Sequence, residues 1–158
     1  MNEVATMEKK ADYIGLVKRD IKNYNELQVR CNIFRQRISD LESLLCLEAS
    51  PVSSSFKEHT TTGGKCISQE EYFIESNEEY KKQIVILKRQ LYELERRLKD
   101  IDCCVDSLDQ NEATLVSGLK NGETLERLAE KCFCSVGGVR RMLNRVLQKM
   151  VVMIYGYD

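Results

Sequence analysis

The chain has 158 residues, a net charge of −1 and 31% charged residues, with one proline and eight glycines. This length suits one domain or two small ones, and the balanced charge excludes a polycation that binds nucleic acid over its whole surface. No apolar run approaches the roughly 20 residues that cross a bilayer, and the opening stretch MNEVATMEKKADY has no apolar signal core. The many charged residues and few glycines favour an all-α protein. Because no membrane segment or signal core is present, we expect it in the cytoplasm and not in a membrane.

The first predicted element is a long helix over about residues 10–47. Its apolar side chains recur alternately three and four positions apart, which is the heptad spacing of a left-handed coiled coil. They are Tyr24, Leu27, Cys31, Phe34, Ile38, Leu41 and Leu45. We expect this stripe, with Cys31 as a small hydrophobe, to be buried against another helix.

A flexible loop is predicted next, over about residues 48–74. The sequence SPVSSSFKEHTTTGGK contains few apolar residues and is typical of such a connection. Ser68-Gln69-Glu70-Glu71 can open a short helix within it. Gly63-Gly64 follows no predicted strand, so it does not indicate a phosphate-binding loop.

A second long helix is predicted over about residues 75–107, with the same heptad spacing. Its apolar positions are Tyr80, Ile84, Leu87, Leu91, Leu94, Leu98, Ile101, Val105 and Leu108. Fully burying a leucine-sized side chain contributes roughly 1.5–3 kcal/mol, so neither long helix is expected to stand alone. The loop favours an antiparallel coiled-coil hairpin over residues 1–107, and the pattern equally allows pairing between chains.

The last predicted domain, residues 108–158, contains two short helices joined by a tight turn. The first helix begins near Thr124. Its apolar stripe is Leu125, Leu128 and Ala129, and that of the second helix is Val139, Met142, Leu143, Val146, Leu147 and Met150. Cys132-Phe133-Cys134 forms the turn, and Ser135 is suited to cap the second helix. This small helix-turn-helix is a shape that fits a DNA major groove.

The second of these helices is basic, because residues 135–150 carry four basic side chains and no acidic one. Arg140, Arg141 and Asn144 are candidates for reading bases, since arginine and asparagine bond bidentately to guanine and adenine edges. Arg145 and Lys149 are predicted to contact phosphates. The predicted DNA-binding set is Thr124, Ser135, Gly137, Gly138, Arg140, Arg141, Asn144, Arg145 and Lys149, with the glycines allowing close approach of the DNA backbone. The simpler alternative is a solvated basic face on an ordinary core helix.

Residues 108–150 resemble the DNA-binding C-terminal region of bacterial sigma factors, known as region 4. The matching features are Glu112, the apolar helix Ala113 to Leu119, the turn Asn121-Gly122-Glu123-Thr124, then Leu125, Leu128 and Ala129, and finally Ser135, Val139, Arg140 and Arg141. Phe133 departs from the family, which usually has glycine in this turn. The whole layout resembles phage and prophage regulators of the ArpU type, and no segment resembles the sigma domain that opens promoter DNA. The resemblance implies a transcription regulator of phage late genes in a bacterial host, with RNA polymerase as a partner.

We expect the hairpin to make the protein a homodimer that carries two DNA-binding domains. Leu44 and Tyr92 lie beside the heptad positions and widen the apolar surface. The residues predicted to make the oligomer contacts are Leu27, Phe34, Ile38, Leu41, Ile84, Leu87, Leu91, Leu94, Leu98 and Ile101. A two-fold dimer matches half-sites that are one helical turn, or a multiple of it, apart. The simpler alternative is that the coiled coil is only a stalk and does not dimerise the protein.

No enzymatic, metal or cofactor chemistry is expected. The seven cysteines include no Cys-x-x-Cys pair, and His59 is the only histidine. A four-thiolate site from Cys103-Cys104 with Cys132-x-Cys134 is the remote alternative. Acids such as Glu93 and Glu95 alternate with arginines, as on a solvated helix, and form no convergent acid–base set.

Two other functions fit the same pattern. One is a coiled-coil adaptor whose helix-turn-helix binds a protein such as RNA polymerase, and strong salt dependence of DNA binding would separate it from a regulator. The other is a DNA-packaging subunit similar to small terminases, which a ring-sized oligomer would favour. The apolar tail VVMIYGYD is expected to pack on the stalk or on the first helix of the helix-turn-helix, or else to dock RNA polymerase or a second chain.

Overall fold

The computed structural model describes the backbone of residues 2–48 and 69–156 and the side chains of residues 12–46 and 74–156. These described ranges contain six helices and no strand, so the predicted all-α class is confirmed. The helices are α1 (Asn2–Lys22), α2 (Tyr24–Glu48), α3 (Gln69–Asp106), α4 (Gln110–Lys120), α5 (Leu125–Lys131) and α6 (Val136–Tyr155). No helix in this part of the chain is both long and apolar enough to span a bilayer.

The first predicted long helix is two helices in the structure. α1 and α2 are separated by one turn residue, Asn23. The backbone hydrogen bonds continue through it, because the Asn23 amide donates to Arg19 at 2.9 Å and the Asn23 carbonyl accepts from Leu27 at 2.9 Å. The helical region also starts earlier than predicted, at Asn2 rather than near residue 10.

The predicted loop over residues 48–74 is too long at its C-terminal end, because α3 begins at Gln69. That start lies within Ser68-Gln69-Glu70-Glu71, where the sequence indicated that a short helix can open. Instead of a separate short helix, α3 runs without interruption from there to Asp106, close to the predicted end. Residues 49–68, which include Gly63-Gly64, lie outside the described residues.

The chain forms two compact units, one from residues 1–31 and 93–158 and the other from residues 32–92. α2 and α3 contribute to both units. The units do not divide at the predicted boundary between residues 107 and 108, because α1 packs against α4 and α6. Val17 and Ile21 of α1 are buried, so the N-terminal helix shares a core with the predicted helix-turn-helix.

A partly buried ion pair joins α1 to α3 within the unit formed by residues 1–31 and 93–158. Asp20 is only 8% exposed, and its carboxylate accepts hydrogen bonds from Nε of Arg97 at 2.9 Å and from Nη2 of the same guanidinium. The bond to Asp20 raises the pKa of Arg97 above its ordinary value. A buried carboxylate is costly without such a partner, so the pair specifies how α1 and α3 meet.

A second polar cluster in that unit joins α2, α3 and α4. The buried Tyr24 hydroxyl donates to both carboxylate oxygens of Asp102, at 2.8 and 2.7 Å. Lys120 Nζ lies 3.2 Å from the centroid of the Tyr24 ring and 3.5 Å from Asp102 Oδ1. Burial, followed by the hydrogen bond to Asp102, raises the pKa of Tyr24 to about 12.

In the unit formed by residues 32–92, predicted heptad positions of α2 and α3 are buried or half-buried. Ile38 and Ile84 are buried, and Lys88 Nζ donates to Glu42 at 2.7 Å. Phe34, Leu41, Leu87 and Leu91 are half-buried here, and Leu27, Leu94, Leu98 and Ile101 are buried in the other unit. The residues predicted for oligomer contacts are thus buried or half-buried within one chain, and their role in an oligomer stays a prediction.

Candidate nucleic-acid interface

The region before the basic helix is built by two capped helices. Asp109 and Glu112 form a capping box at the start of α4, with the Glu112 amide donating to Asp109 at 2.8 Å. Gly122 then adopts a left-handed φ of 70°, which turns the chain toward α5. The Thr124 hydroxyl, predicted only as a DNA contact, accepts from the Arg127 amide at 3.3 Å and caps α5.

The turn between α5 and α6 contains a left-handed phenylalanine. Phe133 has a φ of 51°, a conformation that residues with a Cβ rarely adopt. Its backbone is held because the Phe133 amide donates to Glu130 at 3.3 Å and the next amide, of Cys134, donates to Ala129 at 3.0 Å. The Phe133 side chain contributes no packing, since the residue is 97% exposed. Glycine would adopt this φ without the steric cost of a Cβ.

α6 is strongly amphipathic over its first four turns. Ser135 caps it by accepting from the Gly138 amide at 3.1 Å, which confirms the predicted N-cap. Its buried side is formed by Val139, Leu143, Val146, Leu147 and Met150, each at most 4% exposed. The remaining predicted core residue, Met142, is half-buried.

The opposite side of α6 presents its polar and basic side chains to solvent. Arg140, Arg141, Asn144 and Arg145 are all exposed. Arg141 Nε makes a long hydrogen bond, 3.4 Å, to the carbonyl of Gly137 one turn earlier. Within the part of the chain that the structure describes, Arg140 and Arg145 form no ion pair. These guanidinium groups therefore remain available for an external acceptor.

Lys149 differs from the other predicted DNA contacts because it already has an anionic partner. Its Nζ donates to Glu112 Oε2 at 2.8 Å. Glu112 belongs to the α4 capping box, and the same carboxylate oxygen accepts from the Asp109 amide at 3.2 Å. Lys149 thus forms an ion pair between α6 and α4, and a DNA phosphate would have to compete with Glu112 for its ammonium group.

The two glycines at the start of α6 have different surroundings. Gly137 is exposed, and a Cβ added there would meet no atom of the chain closer than 4.0 Å, the Ser135 Oγ. Gly138 is half-buried, and an added Cβ would lie 3.3 Å from the same hydroxyl. Internal packing therefore does not require glycine at position 137.

The apolar tail is a continuation of the basic helix and not a separate segment. α6 extends to Tyr155 and ends at Gly156, whose φ of 70° forms a left-handed cap. Val151 is fully buried, and the Tyr155 ring stacks on Tyr13 of α1 with centroids 4.3 Å apart. The tail thus packs on the N-terminal helix, whereas Met153 remains 42% exposed. The final two residues lie outside the described range.

The cysteines near this region form no cluster. Cys103 is exposed, Cys104 is buried with its pKa raised to about 11 by burial, and Cys132 and Cys134 are half-buried. Among the described residues, no three potential metal ligands come together. Cys66 and His59 are not among those residues.

Sequence reasoning missed three features of this unit: the exposure of Phe133, the Lys149–Glu112 ion pair and the partly buried Asp20–Arg97 pair. A left-handed turn is signalled by glycine or asparagine, and phenylalanine gives no such signal. The ion pairs join residues 37 and 77 positions apart, which helical periodicity does not report.

Comparison with known proteins returned no match among family models, curated proteins or solved structures.

Proposed function

We propose that this protein binds double-stranded DNA in a sequence-specific manner through α6 and acts as a transcription regulator. The observation that carries the proposal is the exposed row of Arg140, Arg141, Asn144 and Arg145 on a capped helix that has no acidic residue. In a chain with a net charge of −1, α6 stands out because it carries four basic residues and no acidic one.

In the proposed mechanism, α5 and α6 act as a helix-turn-helix whose second helix enters the major groove. Arg140, Arg141 and Asn144, within the first turns of α6, read base edges. Arg145 contacts a phosphate, which supplies affinity and register. Gly137 is exposed without a side chain and allows the DNA backbone to approach the helix start.

The rest of the molecule is proposed to support this helix. The Glu42–Lys88 ion pair, within the unit formed by residues 32–92, supports the predicted pairing of α2 with α3 in an antiparallel coiled-coil hairpin. α1 adds Tyr13 and Ile21 to the core behind α6. A role in phage late-gene transcription, recruitment of RNA polymerase and a cytoplasmic location in the bacterial host rest on the resemblance to sigma region 4.

The proposal is tested by enrichment of bound fragments from the protein's own genome at two salt concentrations. We expect a sharp peak upstream of one set of genes that persists at the higher salt. Arg140→Ala or Arg141→Ala is expected to weaken binding to that site by about 1–3 kcal/mol. Arg145→Ala should instead lower the dependence of log K on log salt by about one unit.

The matched control is Arg89→Ala, which removes an exposed arginine of α3 in the other unit. It should leave both affinity and salt dependence unchanged. Weak and uniform binding that vanishes with salt would refute sequence-specific recognition and favour a protein-binding adaptor. Equal loss in Arg140→Ala and Arg89→Ala would show that α6 is not the reading element.

A further inference from the structure

The unit formed by residues 32–92 has a groove on one side of the α2–α3 pair. The groove measures about 480 Å³ and is lined by Arg37, Asp40, Leu41, Gln83, Ile86 and Leu87. Ile86, on its α3 wall, is 56% exposed although it is a large apolar residue. Leu41 and Leu87 are half-buried at its floor. A solvated groove with such a lining indicates a contact surface that one chain leaves open.

The α2 wall of the groove belongs to a longer stripe with spacing four, three and four. The stripe consists of Ile33, Arg37, Asp40 and Leu44. Ile33 is 44% and Leu44 is 41% exposed, and both charged residues are exposed. This stripe lies one position before the inward-facing heptad residues, so it is a different surface from the one that pairs α2 with α3.

The pattern of this stripe is self-complementary. Ile33 and Leu44 share the same midpoint as Arg37 and Asp40, between positions 38 and 39. If two copies of α2 meet antiparallel about a two-fold axis at that midpoint, Ile33 faces Leu44 and Arg37 faces Asp40 of the second copy. A parallel arrangement would instead bring Arg37 against Arg37, and like charges at an interface are unfavourable.

We propose that the groove side of this unit binds a second copy of the same chain, with the two α2 stripes antiparallel about a two-fold axis. A two-fold interface uses one patch twice, so each charge pair occurs twice. Arg37 makes no ion pair within the described part of the chain. Asp40 accepts only from Gln36, at 2.8 Å, among those residues. Both charges therefore remain available to their counterparts in a second copy.

Sedimentation equilibrium of the full chain without DNA tests this arrangement. We expect the unaltered protein to be a concentration-dependent dimer. Arg37→Glu and Asp40→Arg each place like charges opposite one another and should weaken the dimer by at least about tenfold. An equimolar mixture of these two variants should recover the dimer. In the mixed pair the introduced glutamate faces the introduced arginine in one contact, and the original Arg37–Asp40 pairing remains in the other. The double variant R37E/D40R should also recover the dimer, because both contacts are then reversed together.

The matched control is Arg89→Glu, an equal charge reversal on α3 outside the groove, which should leave the dimer intact. Circular dichroism checks that every variant remains helical. A monomeric unaltered protein would overturn the proposal and leave the groove to another partner. A dimer that resists both single reversals, or variants that fail to recover on mixing, would overturn the antiparallel surface. Because no DNA is present, either failure is distinguishable from a failure of the proposed DNA binding.

Discussion

Replacing Phe133 with glycine is expected to stabilise the protein. A non-glycine residue in the left-handed region costs roughly 1–2 kcal/mol, and Phe133 has a φ of 51°. Removing this strain is partly offset by a cost of about 0.5–1 kcal/mol, because glycine has more conformational freedom to lose on folding. The lost side chain costs almost no burial, since the residue is 97% exposed. The net stabilisation of Phe133→Gly should be about 0–1.5 kcal/mol.

The control is Phe133→Ala, which removes the aromatic ring and keeps the Cβ. Its stability should remain close to that of the unaltered protein, because the same left-handed strain persists. Urea unfolding followed by circular dichroism measures both variants, and an unchanged m-value would show that the change lies in stability alone. If Phe133→Gly is no more stable than Phe133→Ala, the turn is not strained.

Three further changes have expected outcomes. Gly137→Ala should leave thermal stability unchanged or slightly higher, because its Cβ has room, and should weaken binding in a DNA titration if the DNA backbone approaches there. Gly118→Ala should destabilise the protein by about 1–2 kcal/mol in urea unfolding. The added Cβ would lie 2.2 Å from the Cδ2 atom of Leu128, which is fully buried. An unchanged stability would mean that α4 and α5 approach each other less closely. Tyr24→Phe should lower stability at neutral pH by removing the bond to Asp102. Folded Tyr24 keeps its proton up to about pH 12, whereas an ordinary tyrosine loses it near 10.0, so the stability that this raised pKa confers is complete below pH 10.0 and declines toward pH 12. The difference in unfolding free energy between the unaltered protein and Tyr24→Phe should therefore narrow between pH 10.0 and pH 12. A difference that stays constant over this range would contradict the raised pKa of Tyr24.

The basic helix shows how far local sequence carries a prediction. Ser135 was expected to cap α6 from its side chain alone, and the cap is present at 3.1 Å. The apolar spacing of Val139, Leu143 and Val146 predicted the buried side, and the exposed arginines follow from the same period. These features depend on residues within one or two helical turns of each other, which is the range over which a sequence pattern is informative.

The heptad pattern of α2 and α3 was informative in a more limited way. It identified the residues that become buried, such as Ile38 and Ile84. It did not identify their partner, because a heptad spacing is the same whether the facing helix belongs to the same chain or to another. In the structure these residues are buried within a single chain.

The sequence by itself determined the all-α class, the Ser135 cap of α6 and the amphipathic character of α6, because these depend on propensity and spacing along one helix. The tertiary structure decided that α1 packs behind α6, that Asp20 meets Arg97, that Lys149 is held by Glu112 and that Phe133 is left exposed in a strained turn. Such contacts follow from which apolar surfaces meet and exclude water, and that choice depends on the whole chain at once.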